Sequence, residues 1–343
     1  MSASLPTTTE ADRAFVVKSP MQEAWRRFRR NRLAVFFLWV FCVYFFLALA
    51  AQTFEIIDVI RGQTHTYDLA LSEMPNLVEE GIQIPEKAVG PSTATWLAWF
   101  GTTSSGKSVL SRVFYGTKVA FAVGTFSALL SVIIGMTLGL LAGWFGSWVD
   151  EIVVYLYSTV SSIPYLLLIL AIAFIIRNGG VAHWYHKQVL FGLEFHKFLS
   201  LGLFNIILVI GLTSWVTLCR LVRAEVKKVR ELDYVQAAKA MGYGNMRIMF
   251  KHILPNVFHL VIINFSLTFV IAIKSEVILT FLGVGVDKEP SWGQMISAAK
   301  SELMRGVWWP LAASGGLLFL LTLSINYVGD ALRDALDPKL KNQ

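Results

Sequence analysis

The chain has 343 residues, of which 55% are hydrophobic and only 15% charged, and its mean hydropathy is +0.58. Water-soluble domains carry about 25% charged residues, so this composition excludes a water-facing globule and predicts several membrane spans with modest external segments. The net charge of +7 does not indicate nucleic acid, because the basic residues gather at the ends of apolar runs, where they set membrane orientation.

In chain order, residues 1–32 are polar and end in RRFRRNR, and they read as a cytoplasmic N-terminal segment. The apolar run that follows is too long for a signal-peptide core and has no convincing cleavage site, so it is a retained first span at 33–51. Crossing a hydrocarbon core of roughly 30 Å takes about 20 mostly apolar residues. Six regions meet that length: Leu33 to Ala51, Lys118 to Trp144, Glu151 to Ile176, Phe198 to Leu221, Val257 to Leu282, and Trp309 to Val328. The expectation is an all-α integral membrane protein. Arg26, Arg27, Arg29, Arg30 and Arg32 place the N-terminus in the cytoplasm. An even span count returns the C-terminus, with Lys339 and Lys341, to the same side.

Residues 52–117 then form an acidic extracytoplasmic loop, and two further outer segments lie near 178–197 and 283–308. The former carries His183, His186 and His196, but the Trp and Tyr between them suit a membrane-interface belt better than a metal site; no metal is expected. Cys42 and Cys219 both fall in apolar runs and imply no disulfide. Gly101 to Ser108 reads GTTSSGKS, which matches the phosphate-cradling pattern G-x-x-x-x-G-K-[ST]. No α/β pattern surrounds it, the next helix is a span, and the loop faces outward, so the match reads as coincidence. Gly135, Gly139 and Gly143 form a small-residue stripe for close helix packing. Pro164, beside serines, predicts a kink in span three.

The fourth and fifth spans are separated by a basic cytoplasmic insert, LDYVQAAKAMGYGNMRIMFKHILP, from Leu232 to Pro255. It reads as helix, break, helix: Tyr234, Val235, Ala238 and Met241 recur at helical spacing, Gly242 and Gly244 interrupt, and Asn245 is placed to cap a helix carrying Met246, Met249, Phe250 and Ile253. An apolar knob displayed in water by a membrane protein points to a protein partner. The alternative is an amphipathic hairpin resting on the bilayer. In span five, Lys274 and Glu276 near the outer end and Asn264, Ser266 and Thr268 deeper are candidate pathway residues, since ionisable groups at membrane depth face a cavity or a partner. A lysine there suits a peptide carboxylate, or pairs with Glu276 or an adjacent subunit.

These motifs resemble the C-type permease subunit of peptide-type ABC importers, the group handling dipeptides, oligopeptides, nickel and related ligands. The insert resembles that family's EAA loop, standing here as Gln236, Ala237, Ala238, Gly242, Leu254 and Pro255, with Gln in place of Glu. GTTSSGKSVLSRVFYG at Gly101–Gly116 resembles the family's GTDxxGRDVLSRxxYG without its two aspartates and with Lys107 for Arg. SEVILTFLGVG, SWGQM and GDALRDALDPKL extend the likeness, whereas 52–100 shows no family pattern. The resemblance implies an ABC importer type I permease fold, with a permease domain over 118–343 and a coupling loop at about 222–255. It implies a multi-pass subunit of the bacterial inner membrane forming half of a pathway for peptides or similar small solutes. The chain itself would be no enzyme and would bind no cofactor, ATP and magnesium being used by partners. Those partners would be a second homologous permease, two ATPase subunits and an extracytoplasmic solute-binding protein. The resemblance makes Tyr234, Val235, Gln236, Ala237, Ala238, Met241, Gly242, Leu254 and Pro255 the ATPase-coupling residues. The alternative is a self-sufficient secondary transporter or channel, which normally shows internal repeats; none is convincing here.

Overall fold

The structure, a computed structural model, describes residues 20–61, 90–92, 96–179, 189–190, 193–194, 200–286 and 289–336. The histidines at 183, 186 and 196 lie outside the described residues. A short basic helix, α1 (Pro20–Arg30), leads into the first long one, α2 (Arg32–Arg61). The break falls at Asn31, whose side-chain oxygen accepts from the backbone N–H groups of Leu33 and Ala34 at 3.1 and 3.2 Å, an N-cap that starts the new helix. The helix α2 continues past Ala51 because Phe54, Ile56 and Ile57 keep it apolar and Glu55 finds a buried partner, described below.

The second span, α3, runs from Val109 to Phe145, starting nine residues before Lys118. Ser108 caps it by accepting from Ser111 N–H, and Gly146, at φ +64°, ends it where a side chain would be strained. Span three is two helices, α4 (Ser147–Ser162) and α5 (Tyr165–Asn178), which meet at 96°. Proline imposes this break: Pro164 has no N–H to donate, and it drives Ile163 into extended backbone at ψ 133°. A two-residue ribbon, β1 (Val189–Leu190) against β2 (Leu193–Glu194), precedes α6 (Leu201–Arg230). The insert holds α7 (Asp233–Ala240) and α8 (Asn245–Ile248), then one wide turn at Met249–Ile253 that runs directly into α9 (Leu254–Phe281). That turn has a local cause. Pro255 lacks an N–H and its ring crowds the carbonyl of Lys251, and widening the preceding turn relieves both. The outer cap helix α10 (Trp292–Leu303) and the last span α11 (Trp309–Leu336) complete the chain. Among the described residues, five helices are long and apolar enough to cross a membrane, and the bent pair makes a sixth.

The bundle is built on α3 and α6. A Cβ on Gly135 would sit 2.7 Å from Trp215 carbonyl oxygen, on Gly139 2.8 Å from Val222 Cβ, and on Gly143 2.6 Å from Val226 Cβ. Lipid tails compete with any apolar side chain, so close backbone contact of this kind is what holds two spans together. Around the pair lie four larger apolar clusters, one with α2, α9, α10 and α11, one with α5 and α9, one with α7 and the wide turn, and one with α4. Phe28 of α1 is buried with Ala331 and Ala335 of α11, so the two ends of the described chain lie together on one side of the bundle.

Candidate coupling site on the cytoplasmic face

The insert between α6 and α9 is anchored rather than loose. Arg230, the last residue of α6, donates to the carbonyl of Trp144 at 3.1 Å, and Lys239 of α7 lies 4.6 Å above the Trp144 ring. Asp150 at the start of α4 receives Arg223 in a forked contact and Lys227 at 2.7 Å, tying α4 to the same end of α6. This puts the ends of spans two and four and the start of span three beneath the insert.

Its two helices face each other through the small and branched side chains of the sequence motif. Val235 and Ala238 are buried against Ile248, Met249, Ile253 and Val257. The helix α7 ends in a Schellman turn: Tyr243 N–H bonds to Ala238 carbonyl at 3.2 Å, Gly242 N–H to Lys239 carbonyl at 2.9 Å, and Gly242 takes φ +78°. The first residue of α8 is Asn245 and its N-cap is Gly244, so the Asn245 side chain does not cap the helix as the sequence suggested. Below the turn, His252 stacks on Tyr243 with ring centroids 6.5 Å apart, and the Arg247 guanidinium lies 5.0 Å from the Tyr243 ring. Asn256 of α9 donates to the Tyr234 hydroxyl at 3.0 Å. These contacts join the loop to the foot of α9.

What remains outward is apolar. Met241 is 65% exposed, Met246 58% and Phe250 57%, with Tyr234 and Tyr243 beside them and Lys239, Arg247 and Lys251 around the edge. Ala237 and Gln236 are also exposed; Gln236 donates to Arg230 carbonyl at 2.9 Å, fixing the start of α7. Leu254 is half-buried and Pro255 exposed at the base. Of the nine predicted coupling residues, Val235 and Ala238 thus face the chain's own core, while Tyr243, Met246 and Phe250 complete the outward face. Helical spacing groups Tyr234, Val235 and Met241 alike; only the packing of the second helix tells them apart.

The candidate pathway residues separate as sharply. Asn264 is buried and accepts from the Thr268 hydroxyl at 3.3 Å. Ser266 bonds back to Ile263 carbonyl at 2.8 Å and lies against Gly329 of α11. Glu276 is buried and accepts from Thr280 at 3.0 Å. Lys274, two residues away, is exposed and makes no ion pair among the described residues, so it does not pair with Glu276.

At the opposite end, GTTSSGKS forms a tight hairpin whose amides are already engaged. Thr103 N–H bonds to Lys107 carbonyl at 2.9 Å, Gly106 N–H to Thr103 carbonyl at 3.0 Å, and Ser104 N–H to the Glu302 carboxylate at 3.3 Å. A phosphate cradle needs those amides free. Sequence reading missed a buried ion cluster farther along α3. Lys118 is buried between the carboxylates of Glu55 and Glu289, the latter at 2.8 Å, and Glu289 also accepts from Ser200 N–H at 3.1 Å. A lysine at the edge of an apolar run was the available signal. Its partners come from α2 and the segment before α10.

A family model described as binding-protein-dependent transport system inner membrane component matches residues 135–342, and one described as the N-terminal TM domain of oligopeptide transport permease C matches residues 19–63. The chain is 31% identical to a glutathione transport system permease protein of Pectobacterium atrosepticum, over 100% of this chain and 97% of the relative. It is 30% identical to a dipeptide transport system permease protein of Bacillus subtilis, covering 93% and 86%. It is 32% identical to a di/tripeptide transport system permease protein of Pseudomonas aeruginosa, covering 97% and 96%.

Proposed function

The chain belongs to the family of binding-protein-dependent transport system inner membrane components, and we propose that within such a system it is the permease subunit coupling ATP hydrolysis to import of peptides or similar small solutes. In this reading it lines half of the passage and a second, related permease lines the other half. Two cytoplasmic ATPase subunits bind and hydrolyse ATP with magnesium, and an extracytoplasmic protein delivers the solute. The chain makes and breaks no bonds; it converts a rigid-body displacement into opening and closing.

The observation that carries the proposal is the water-facing apolar surface of Met241, Met246 and Phe250 on a loop fastened to α6 and α9. Such residues, held on a short rigid helix pair and rimmed by cations, suit an acidic-edged groove on another protein. When an ATPase pushes α7, the force passes through Val235 and Ala238 into the wide turn and so into α9. The glycine turn keeps this piece compact.

The test is recovery of partners from native membranes in mild detergent, with the tagged wild-type chain beside Met241→Asp and Phe250→Asp. The expected outcome is that wild type brings down a second six-span protein and two ATPases, while each variant inserts normally and loses the ATPases by more than about tenfold, since burying an unpaired carboxylate in the contact opposes docking by well over 1.4 kcal/mol. Recovery of ATPases at wild-type level with both variants would move the coupling contact elsewhere.

A further inference from the structure

Two features on one side of the bundle are not explained by packing within the chain. The first is a strip on α9, where Leu267, Ile271, Lys274 and Ile278 are exposed at alternating spacings of four and three, while the other residues from 261 to 280 are buried or half-buried. Lys274 stands seven residues before Phe281, about 10 Å along the axis from the outer end. An ammonium placed there against lipid tails is strongly disfavoured, so a lysine without a carboxylate among the described residues faces water, a solute or another subunit.

The second feature is the break in span three. Ser161, Ser162, Ile163 and Pro164 are exposed where the two helices turn through 96°. Non-helical backbone at membrane depth is stable only where it meets protein or lines a water-filled cavity. The two features adjoin: the Tyr165 hydroxyl, first residue of α5, lies 3.2 Å from Ser275 Oγ, the residue after Lys274. On the near side of the break Arg220 donates to Ser161 Oγ at 2.8 Å and covers the Tyr157 ring, adding a second exposed cation.

We infer that the exposed strip of α9 and the broken span form one wall of a water-filled solute passage in which Lys274 receives a carboxylate of the passing solute. The inference rests on the transport reading above and adds the chemical class: solutes bearing a free carboxylate, with the positive field of Arg220 along the same wall. Glu276, Asn264 and Ser266 take no part, since each is turned into the chain's own packing.

The test uses the complete transporter in membranes, with Cys42→Ala and Cys219→Ala removing the native thiols. Ile271→Cys in that background is exposed to an anionic and to a cationic methanethiosulfonate, with Lys274 intact and with Lys274→Gln, both without nucleotide and trapped with ATP and vanadate. The expected result is modification from water in at least one state, and an anion-to-cation rate ratio that Lys274→Gln lowers by about threefold or more, the effect of one unit charge several ångströms away in water. No modification in either state would place the strip against lipid or another subunit and overturn the passage. A smaller change in ratio would overturn the carboxylate site. Co-purification of the ATPases is measured on the same preparations, so failure of the transport reading registers separately from failure of this one.

Discussion

The two ends of this bundle follow opposite rules. At the cytoplasmic end a rigid loop leaves Met241, Met246 and Phe250 in water, whereas at the outer end Lys118, Glu55, Glu289 and Glu302 are all buried. Apolar groups left outside are an unfinished interface. Charges brought inside and paired are a finished one, because each must find its partner within the chain to fold at all. In the proposed reading another protein completes the cytoplasmic end, while the outer end ties α2, α3, α6 and the segment before α10 into a single unit through one lysine.

That contrast makes ordered predictions. Lys118→Met should have the largest effect, since it strands two buried carboxylates; loss of one partner from such a site costs about 3–5 kcal/mol. Thermal unfolding in detergent, followed by loss of the monodisperse peak, would show it, and an unchanged midpoint would mean the outer end is not locked by charge. Substitution at the cytoplasmic end should spare folding and strike assembly. Gly242→Val forces a branched residue to φ +78°, costing about 1–2 kcal/mol of local strain and distorting the turn, so ATPase recovery should fall while the unfolding midpoint moves little. Gly244→Ala should do least. Gly244 has φ −66° and open space where a Cβ would stand, so a shift beyond about 0.5 kcal/mol or a lost ATPase would mean that backbone freedom there matters after all.

Much of this was readable from residue order. The spans followed from apolar length, the close packing of α3 on a neighbouring helix from Gly135, Gly139 and Gly143, and the break in span three from Pro164. The helix–turn–helix insert was likewise legible, because Gly242 and Gly244 are strong local punctuation. These are short-range properties, set by neighbours a few residues away.

What residue order left open is which way a side chain points once two elements meet. Tyr234 and Val235 are adjacent and both apolar, yet only the docking of the wide turn buries one and exposes the other. Lys274 and Glu276 are two positions apart on a helix, about 200° around its axis, and the neighbours of α9 decide that the carboxylate is enclosed and the ammonium open. Lys118 looked like the edge of a span; its partners arrive from positions 55 and 289. Sequence by itself determined which segments form apolar spans and where span three breaks, because hydrophobic length and proline act locally. Tertiary structure alone decided which polar groups are spent on folding and which are left for function, because burial and ion pairing depend on residues that only the packed bundle brings together.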